Sequence, residues 1–223
     1  EPLIKRTLLY VDKISVWNKF LFDYFNFFKG KKFIWEIAVN TKKYIEKENY
    51  EIENDFCKLF WTGAPSNFKA IIEYKPLLIE LSKTYKLKLI IASSKPFHTE
   101  GLNIENHLWE EETFFKLISK MDIGIYPEFN SLESKGKSAM KVIDYMATGL
   151  PMIGVPYGLP EGVRDYEELL IAEGYSEWNQ KLTLLINDHQ LRKKIGKKAR
   201  NFVLENYSLN KSFETFKTII FNN

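Results

Sequence analysis

The chain of 223 residues carries 32 lysines and arginines against 29 aspartates and glutamates, a net charge of +3 that is too balanced to argue for a nucleic-acid partner. Hydrophobic residues make up 45% and aromatic residues 15%, enough for one large packed core or two small ones and too many for a disordered chain. Cys57 is the single cysteine, which excludes an internal disulfide and fits a reducing compartment, and His98, His107 and His189 stand apart from cysteine or carboxylate at ligand spacing, so no metal site is expected.

In chain order, a β-branched run at 13–16, an aromatic helical stretch at 18–28, Gly30 and a second strand-like run at 33–39 predict a β-α-β unit. No signal peptide is expected, and the nearest candidate for a membrane span, residues 14–28, is broken by Lys19 and Asp23. The polar segment IEKENYEIEND at 45–55 reads as a linker. A strand at 56–61, the turn Thr62-Gly63-Ala64-Pro65 and a helix to about Thr84 make a strand-glycine-helix unit favourable to a phosphate. The run LKLIIAS at 87–93 has the consecutive apolar residues of a strand covered on both faces of a parallel sheet, and 102–109 is a less regular strand. Glu110, Glu111 and Glu112 precede a helical run at 113–120, where acidic residues complement the helix dipole more readily than they make a catalytic group. A short strand then ends at Pro127. Toward the C-terminus, helices are predicted at 178–185, at 188–207 behind an Asn187-Asp188 cap, and up to about Phe221. The basic run from Arg192 to Arg200 reads as a solvated helix face ahead of an anionic-membrane patch.

The most informative stretch is SKGKSAMKVIDYMATG at 134–149, followed by LPMIGVPYGLPEG: a glycine-containing loop, a helix, a Gly-Leu-Pro stop, a short apolar strand and a second turn. Lys137, Lys141, Asp144 and Thr148 are spaced by four, three and four, which predicts one helix face, with Met140, Ile143, Met146 and Ala147 on the other. Gly136 would let the backbone approach a ligand closely, and first-turn amides with Lys135 and Lys137 would offer positive charge to an anion. Asp144, two turns on, would reach a sugar hydroxyl of a longer ligand. A nucleoside diphosphate suits this arrangement; a surface helix with solvated lysines suits the spacing equally well.

The string LESKGKSAMKVIDYMATGLPMIGVPYGLPEGV resembles the nucleotide-sugar-binding segment of glycosyltransferase family 4, which has the GT-B fold. The flanking chain agrees in order. Val11-Asp12-Lys13 with Asn18 and Leu21 resembles the strand-helix that closes the family's N-terminal domain, and Val39-Asn40-Thr41-Lys42-Lys43-Tyr44 its VDTxxY-like linker, with Asn40 in place of Asp. Gly63 to Lys69 resembles the opening of the C-terminal domain, though Ala64 stands where an Arg is common. Leu159-Pro160-Glu161-Gly162-Val163 resembles the GxPEiv turn, and DHQLRKKIGKKARNFVLENYSL the closing helices.

The resemblance implies an α/β, Rossmann-like doubly wound parallel sheet, the GT-B C-terminal half, with a remnant β-α-β of the N-terminal half. Residues 1–44 would be that acceptor-side remnant, 45–55 a linker, 56–210 the nucleotide-sugar-binding domain and 211–223 a C-terminal helix crossing back over residues 9–39. It implies sugar transfer from a nucleotide-sugar donor to a glycan or lipid-linked acceptor hydroxyl, with retention of configuration and no metal or other cofactor. The location implied is cytoplasmic, with peripheral contact at the inner face of the membrane, and no nucleic acid is involved. The donor-binding residues implied are Gly63, Lys69, Lys135, Gly136, Lys137 and Ser138 at the diphosphate, Asp144 at the ribose, and Leu108 with Trp109 at the base, where a core tryptophan is the competing reading. The turn Gly158–Gly162 would close around the diphosphate side. The family's usual acidic pair is absent, because its first member falls on Gly136; Glu133, three residues earlier, is the candidate substitute and the only catalytic candidate. With most of the acceptor side missing, the chain alone is expected to bind donor, to transfer sugar poorly, and to self-associate through under-covered strands. The rival class is a Rossmann-like interaction module that has lost catalysis, consistent with Ala64 and Gly136. A dinucleotide-binding enzyme fits worse, since no G-x-G-x-x-G follows a strand.

Overall fold

The computed structural model describes residues 2–53 and 56–221; Glu1, the linker residues Asn54 and Asp55, and Asn222 and Asn223 of the expected terminal helix lie outside the described residues. The chain opens with a short helix α1 (Pro2–Thr7), strand β1 (Lys13–Val16), helix α2 (Lys19–Tyr24) and strand β2 (Lys31–Ile34). β1 and β2 pair in parallel, Lys13 opposite Lys31 and Val16 opposite Ile34, which is the expected β-α-β unit. α2 is capped by the Asn18 side chain and ends at Tyr24, short of the predicted 28. The remaining residues are needed for the return: the Lys31 amide reaches the Asp12 carbonyl at 3.0 Å, and pairing starts there.

The larger sheet is built by β3 (Cys57–Thr62), α3 (Phe68–Ser82), β4 (Leu87–Ser93), β5 (Ile104–Leu108), α4 (Glu111–Ile118), β6 (Ile123–Tyr126), α5 (Leu132–Lys135), α6 (Met140–Thr148), β7 (Met152–Gly154) and β8 (Leu170–Ile171). Three helices follow: α7 (Gly174–Asn187), α8 (His189–Asn206) and α9 (Leu209–Phe221). The strand order is β5-β4-β3-β6-β7-β8 and each neighbouring pair is parallel. Leu59, Phe60, Trp61, Ile90 and Ile91 are buried, as a sheet with helices on both faces requires. The chain winds outward through β4 and β5, then returns to lay β6 on the other side of β3. Strand order therefore reverses between β3 and β6, and the loops leaving their carboxyl ends diverge around a crevice.

The terminal helix crosses back as expected. The Val39 amide donates to the Tyr207 carbonyl at 2.9 Å, the Trp35 indole donates to the Ser212 hydroxyl at 2.8 Å, and the Trp35 and Phe216 rings lie 5.1 Å apart. Residues 45–53 carry no strand or helix but are packed into the domain. Lys47 and Tyr50 are buried, the Lys47 amide donates to the Thr148 carbonyl at 2.8 Å, and the Tyr50 carbonyl accepts from Arg192 Nε at 2.9 Å. Polar composition concealed this because the stems of lysine and tyrosine pack while their tips stay polar. The basic run of α8 is largely tied internally: Lys194 and Lys198 reach Glu167, Arg200 reaches Glu46, and buried Arg192 donates to the Leu185 and Ile186 carbonyls. Among the described residues no helix is long and apolar enough to cross a membrane.

α6 and α8 approach each other backbone to backbone. A Cβ on Gly196 would stand 2.2 Å from the Gly149 carbonyl oxygen and 2.5 Å from the Tyr50 ring. Gly196→Ala is expected to lower the unfolding free energy by about 2–4 kcal/mol in urea denaturation, because a backbone atom cannot yield as a side chain can. A loss well below about 1 kcal/mol would show that the two helices part without cost.

Candidate functional site in the crevice between β3 and β6

Pro127 ends β6 by withholding a ladder amide, and the next residue, Glu128, turns into the crevice with only 5% of its surface exposed. Its carboxylate is held by charge and hydrogen bonds from several directions. Lys137 Nζ donates to Oε1 at 2.7 Å, the Ser134 hydroxyl donates to Oε2 at 3.3 Å, and Lys141 Nζ stands 3.9 Å from Oε1. Lys137 also donates to Asn67 Oδ1 at 3.4 Å, which ties the loop after β3 to the loop after β6. Asn67, Tyr126, Glu128, Lys137, Ser138 and Lys141 line a cleft of about 150 Å³.

The local backbone differs from the expected loop-helix. α6 begins only at Met140; Ser134 and Lys135 belong to the four-residue α5, which is capped by the Ser131 side chain. Gly136 closes α5 with φ −83°, so it is not in the left-handed region that favours glycine. The residue there is Ala139, φ +57°, the N-cap of α6. A positive φ outside glycine is uncommon and concentrates where a loop must present a site. Lys137 is thus placed by this loop and not by helical periodicity. Met140, expected on the apolar face, is 36% exposed and lines the cleft, whereas Thr148, expected on the charged face, is fully buried.

Lys141 sits deeper. Its Nζ lies 4.5 Å from the Trp61 ring centroid and 5.5 Å from that of Tyr126, and a Cβ on Gly63 (φ +156°) would stand 3.2 Å from it. Burial pushes the Lys141 ammonium down to about 8; Glu128 opposes that shift and Lys137 adds to it. On the other side of Gly63 lies a second cleft of about 300 Å³, lined by Thr62, Gly63, Ala64, Ser94 and Trp109 at the ends of β3, β4 and β5. Trp109 is 48% exposed, with its ring 5.9 Å from that of Phe114, so it is a surface ring and not a core tryptophan.

The other expected residues are distributed around this centre. Ser138 lines the Lys137 cleft, and Leu108 is exposed at the end of β5 without lining either cleft. Lys69 is exposed, its Nζ 5.6 Å from the Phe129 ring. Lys135, two residues from Lys137, lines a different crevice together with Gly158 to Gly162. Glu133 is exposed on α5 and lines neither cleft. Asp144 Oδ1 accepts the Tyr44 hydroxyl at 2.5 Å; burial pushes its carboxyl up to about 7, with the Tyr44 hydrogen bond opposing. Glu128 is the buried acid of the cleft that sequence periodicity missed. The signal available was a lone acid directly behind a proline-terminated apolar strand, with lysines nine and thirteen residues on.

A parallel doubly wound sheet with a lysine-lined crevice at its switch point defines a Rossmann-like domain equipped for an anionic ligand. The profile of the glycosyl transferase-like family matches residues 75–218, and the chain belongs to that family. Among curated proteins no sequence matches significantly. Of solved structures, the C-terminal domain of LpcC, a glycosyl transferase group 1 family protein from Francisella tularensis, is 18% identical and superposes with TM-score 0.62, covering 77% of this chain and all of that domain. A glycosyltransferase from Rickettsia africae is 17% identical, with TM-score 0.73 over 95% of this chain and 64% of its own. Anabaena HepE, solved with UDP and glucose, is 9% identical with TM-score 0.70, over 92% of this chain and 62% of its own. The fold is that of a GT-B C-terminal half, and the chain spans less than two thirds of the two longer relatives.

Two outcomes follow from the ionisable groups. An ammonium lowered from 10.5 to about 8 by burial costs on the order of 3 kcal/mol at neutral pH, at about 1.4 kcal/mol per unit. That cost is full below pH ~8 and disappears only above pH ~11, where both folded and unfolded chains have lost the proton. Lys141→Met is therefore expected to raise the thermal midpoint at pH 7 and to flatten the rise in stability between pH ~8 and ~10; a variant less stable than the parent would show that the ammonium is a net structural support. The carboxyl of Asp144 has the opposite sign. Its raised value favours the folded state below pH ~4, and this contribution is lost as pH rises through about 7. Asp144→Asn should therefore gain stability relative to the parent between pH ~4 and ~7 and run level with it above pH ~8, read by thermal melts in matched buffers, and parallel curves between pH ~4 and ~7 would refute the assignment.

Proposed function

We propose that this domain holds the diphosphate of a nucleotide-sugar donor across the crevice between β3 and β6, for transfer of the sugar to an acceptor hydroxyl with retention of configuration. The observation that carries the proposal is the buried Glu128 flanked by two lysines at the point where strand order reverses. Lys137, Lys141 and the first amides of α6 face the same cleft and would compensate negative charge as the bond between the anomeric carbon and the diphosphate breaks. The electron pair leaves on the diphosphate, the acceptor oxygen bonds to the anomeric carbon, and its proton passes to solvent. Gly63 packs its bare Cα against Trp61 and Lys141, and the base would stack on the exposed Trp109 ring on its other side.

Asp144, whose Oδ1 accepts the Tyr44 hydroxyl, is proposed to meet a ribose hydroxyl with its other carboxylate oxygen. The presence of UDP in the HepE structure supports uridine as the base. Because lysines supply the positive charge, donor binding is proposed to need no divalent metal. The acceptor is proposed to be a glycan or lipid-linked saccharide, and robust transfer is proposed to need acceptor-side residues beyond this chain.

Calorimetric titration with UDP, GDP and ADP in the presence of a chelator tests this. One nucleotide should bind with a dissociation constant on the order of 10–100 μM, and Lys137→Ala and Trp109→Ala should each weaken it about tenfold or more. Failure of a folded chain to bind any of the three nucleotides, or restoration of binding only by added metal, would overturn the proposal.

A further inference from the structure

The lysines of the crevice between β3 and β6 already face an anion that belongs to the protein. Lys137 Nζ donates to Glu128 Oε1 at 2.7 Å and to Asn67 Oδ1 at 3.4 Å, so one ammonium fastens the loop after β6 to the loop after β3. Lys141 Nζ stands 3.9 Å from the same carboxylate oxygen, beyond hydrogen-bond length, and leans on the Trp61 and Tyr126 rings. Oε2 accepts the Ser134 hydroxyl at 3.3 Å. Glu128 therefore presents one oxygen to both lysines and keeps a hydroxyl for the other. The cleft that holds these groups measures about 150 Å³, small for a ligand site. A second anion brought against the two ammoniums would lie within a few ångströms of the carboxylate, where like charges sheltered from water repel strongly, and one of the two must give way.

We propose that Glu128 is an internal competitor of the diphosphate: its carboxylate holds Lys137 and Lys141 in place and is displaced from them when the anion binds, so that it sets how tightly a nucleotide is held and how fast the nucleotide product leaves. The identity of that anion rests on the donor reading above. Little has to move. Lys137 is partly exposed and can change partner by turning its side chain, whereas the Glu128 backbone is pinned by the Tyr157 hydroxyl, which donates to its carbonyl at 3.2 Å. The displaced carboxylate keeps the Ser134 hydroxyl, which the Ser131 hydroxyl supports at 3.1 Å, so it is not left bare. Parting Lys137 from its present partners also unties Asn67, and entry of the anion loosens the loop after β3. The effect has a direction. A nucleoside diphosphate ends in a free phosphate and carries more negative charge than the diester of a nucleotide sugar, so two unopposed lysines would grip the product harder than the donor. A carboxylate set to retake those lysines opposes that grip, at a step that limits turnover in many enzymes.

Calorimetric titration of the parent chain and of Glu128→Gln with UDP and with inorganic pyrophosphate tests it. The variant should bind both about tenfold more tightly and release UDP more slowly by a similar factor in stopped-flow displacement. A residue that only supported the cleft would lose affinity on the same substitution. In a Lys137→Ala chain, Glu128→Gln should gain much less, because the contested ammonium is gone. Glu128→Asp retracts the same charge by one methylene and should tighten both ligands by a smaller factor; it carries the test if Glu128→Gln does not fold. A parent that binds UDP with folded Glu128 variants that bind it equally or more weakly, or a Glu128→Gln gain undiminished without Lys137, would overturn the inference and leave the donor reading standing. Binding of neither ligand by any of these chains would remove the donor reading and this inference together.

Discussion

The buried carboxylate of Glu128 is the contact on which the site depends. A charge taken out of water is costly unless neighbours replace its hydration, and here the replacements come from separate pieces of chain: a hydroxyl from α5, an ammonium from the loop before α6 and a second ammonium from α6 itself. The carbonyl of the same residue takes the hydroxyl of Tyr157 from the loop after β7. One residue thus collects four segments whose backbones follow no common regular pattern. Each would otherwise be a surface loop with a solvated lysine or serine; fastened to one acid, they become the wall of a cleft.

Keeping Lys141 beneath this acid is unfavourable for the fold and useful for a ligand. The ammonium lies against two aromatic rings, sheltered from water, so a negative group that reaches it meets little screening. Glu128 moderates this by half-neutralising the pair of lysines. The site is therefore polar enough to remain folded and positive enough to attract an anion, a balance that two unpaired buried lysines could not strike.

Strands with an unmistakable local signature were legible to the residue: Lys13–Val16 from its β-branched run and Leu87–Ser93 from its unbroken apolar one. The winding of the sheet was legible through the family resemblance, with which the alternating strand and helix patterns agree. The site was less so. Gly136 drew attention as the flexible residue, while the left-handed turn is made by Ala139, whose type carries no such signal. Lys135 and Lys137 read as one cluster, yet the backbone between them is a wall with opposite sides. Glu128 gave only a faint cue because its partners are brought to it by the reversal of strand order, which no local window contains. Tyr44 on Asp144 belongs to the same class: a linker residue a hundred positions away claims half of a carboxylate that spacing alone offered whole.

The bridge between Val39 and Ser208 has a mechanical consequence. Residues 35–39 are fastened to the end of α8 by the Val39 amide and to α9 by the Trp35 indole and its tilted contact with Phe216, while the segment from Lys47 to Tyr50 is sunk between α6 and α8. The N-terminal unit is therefore fastened to the domain at two separate places, at Tyr207 and Ser208 through Val39 and at the 135–137 backbone through Trp17 and Asn18. Two attachments far apart in sequence resist rotation that either one alone would allow.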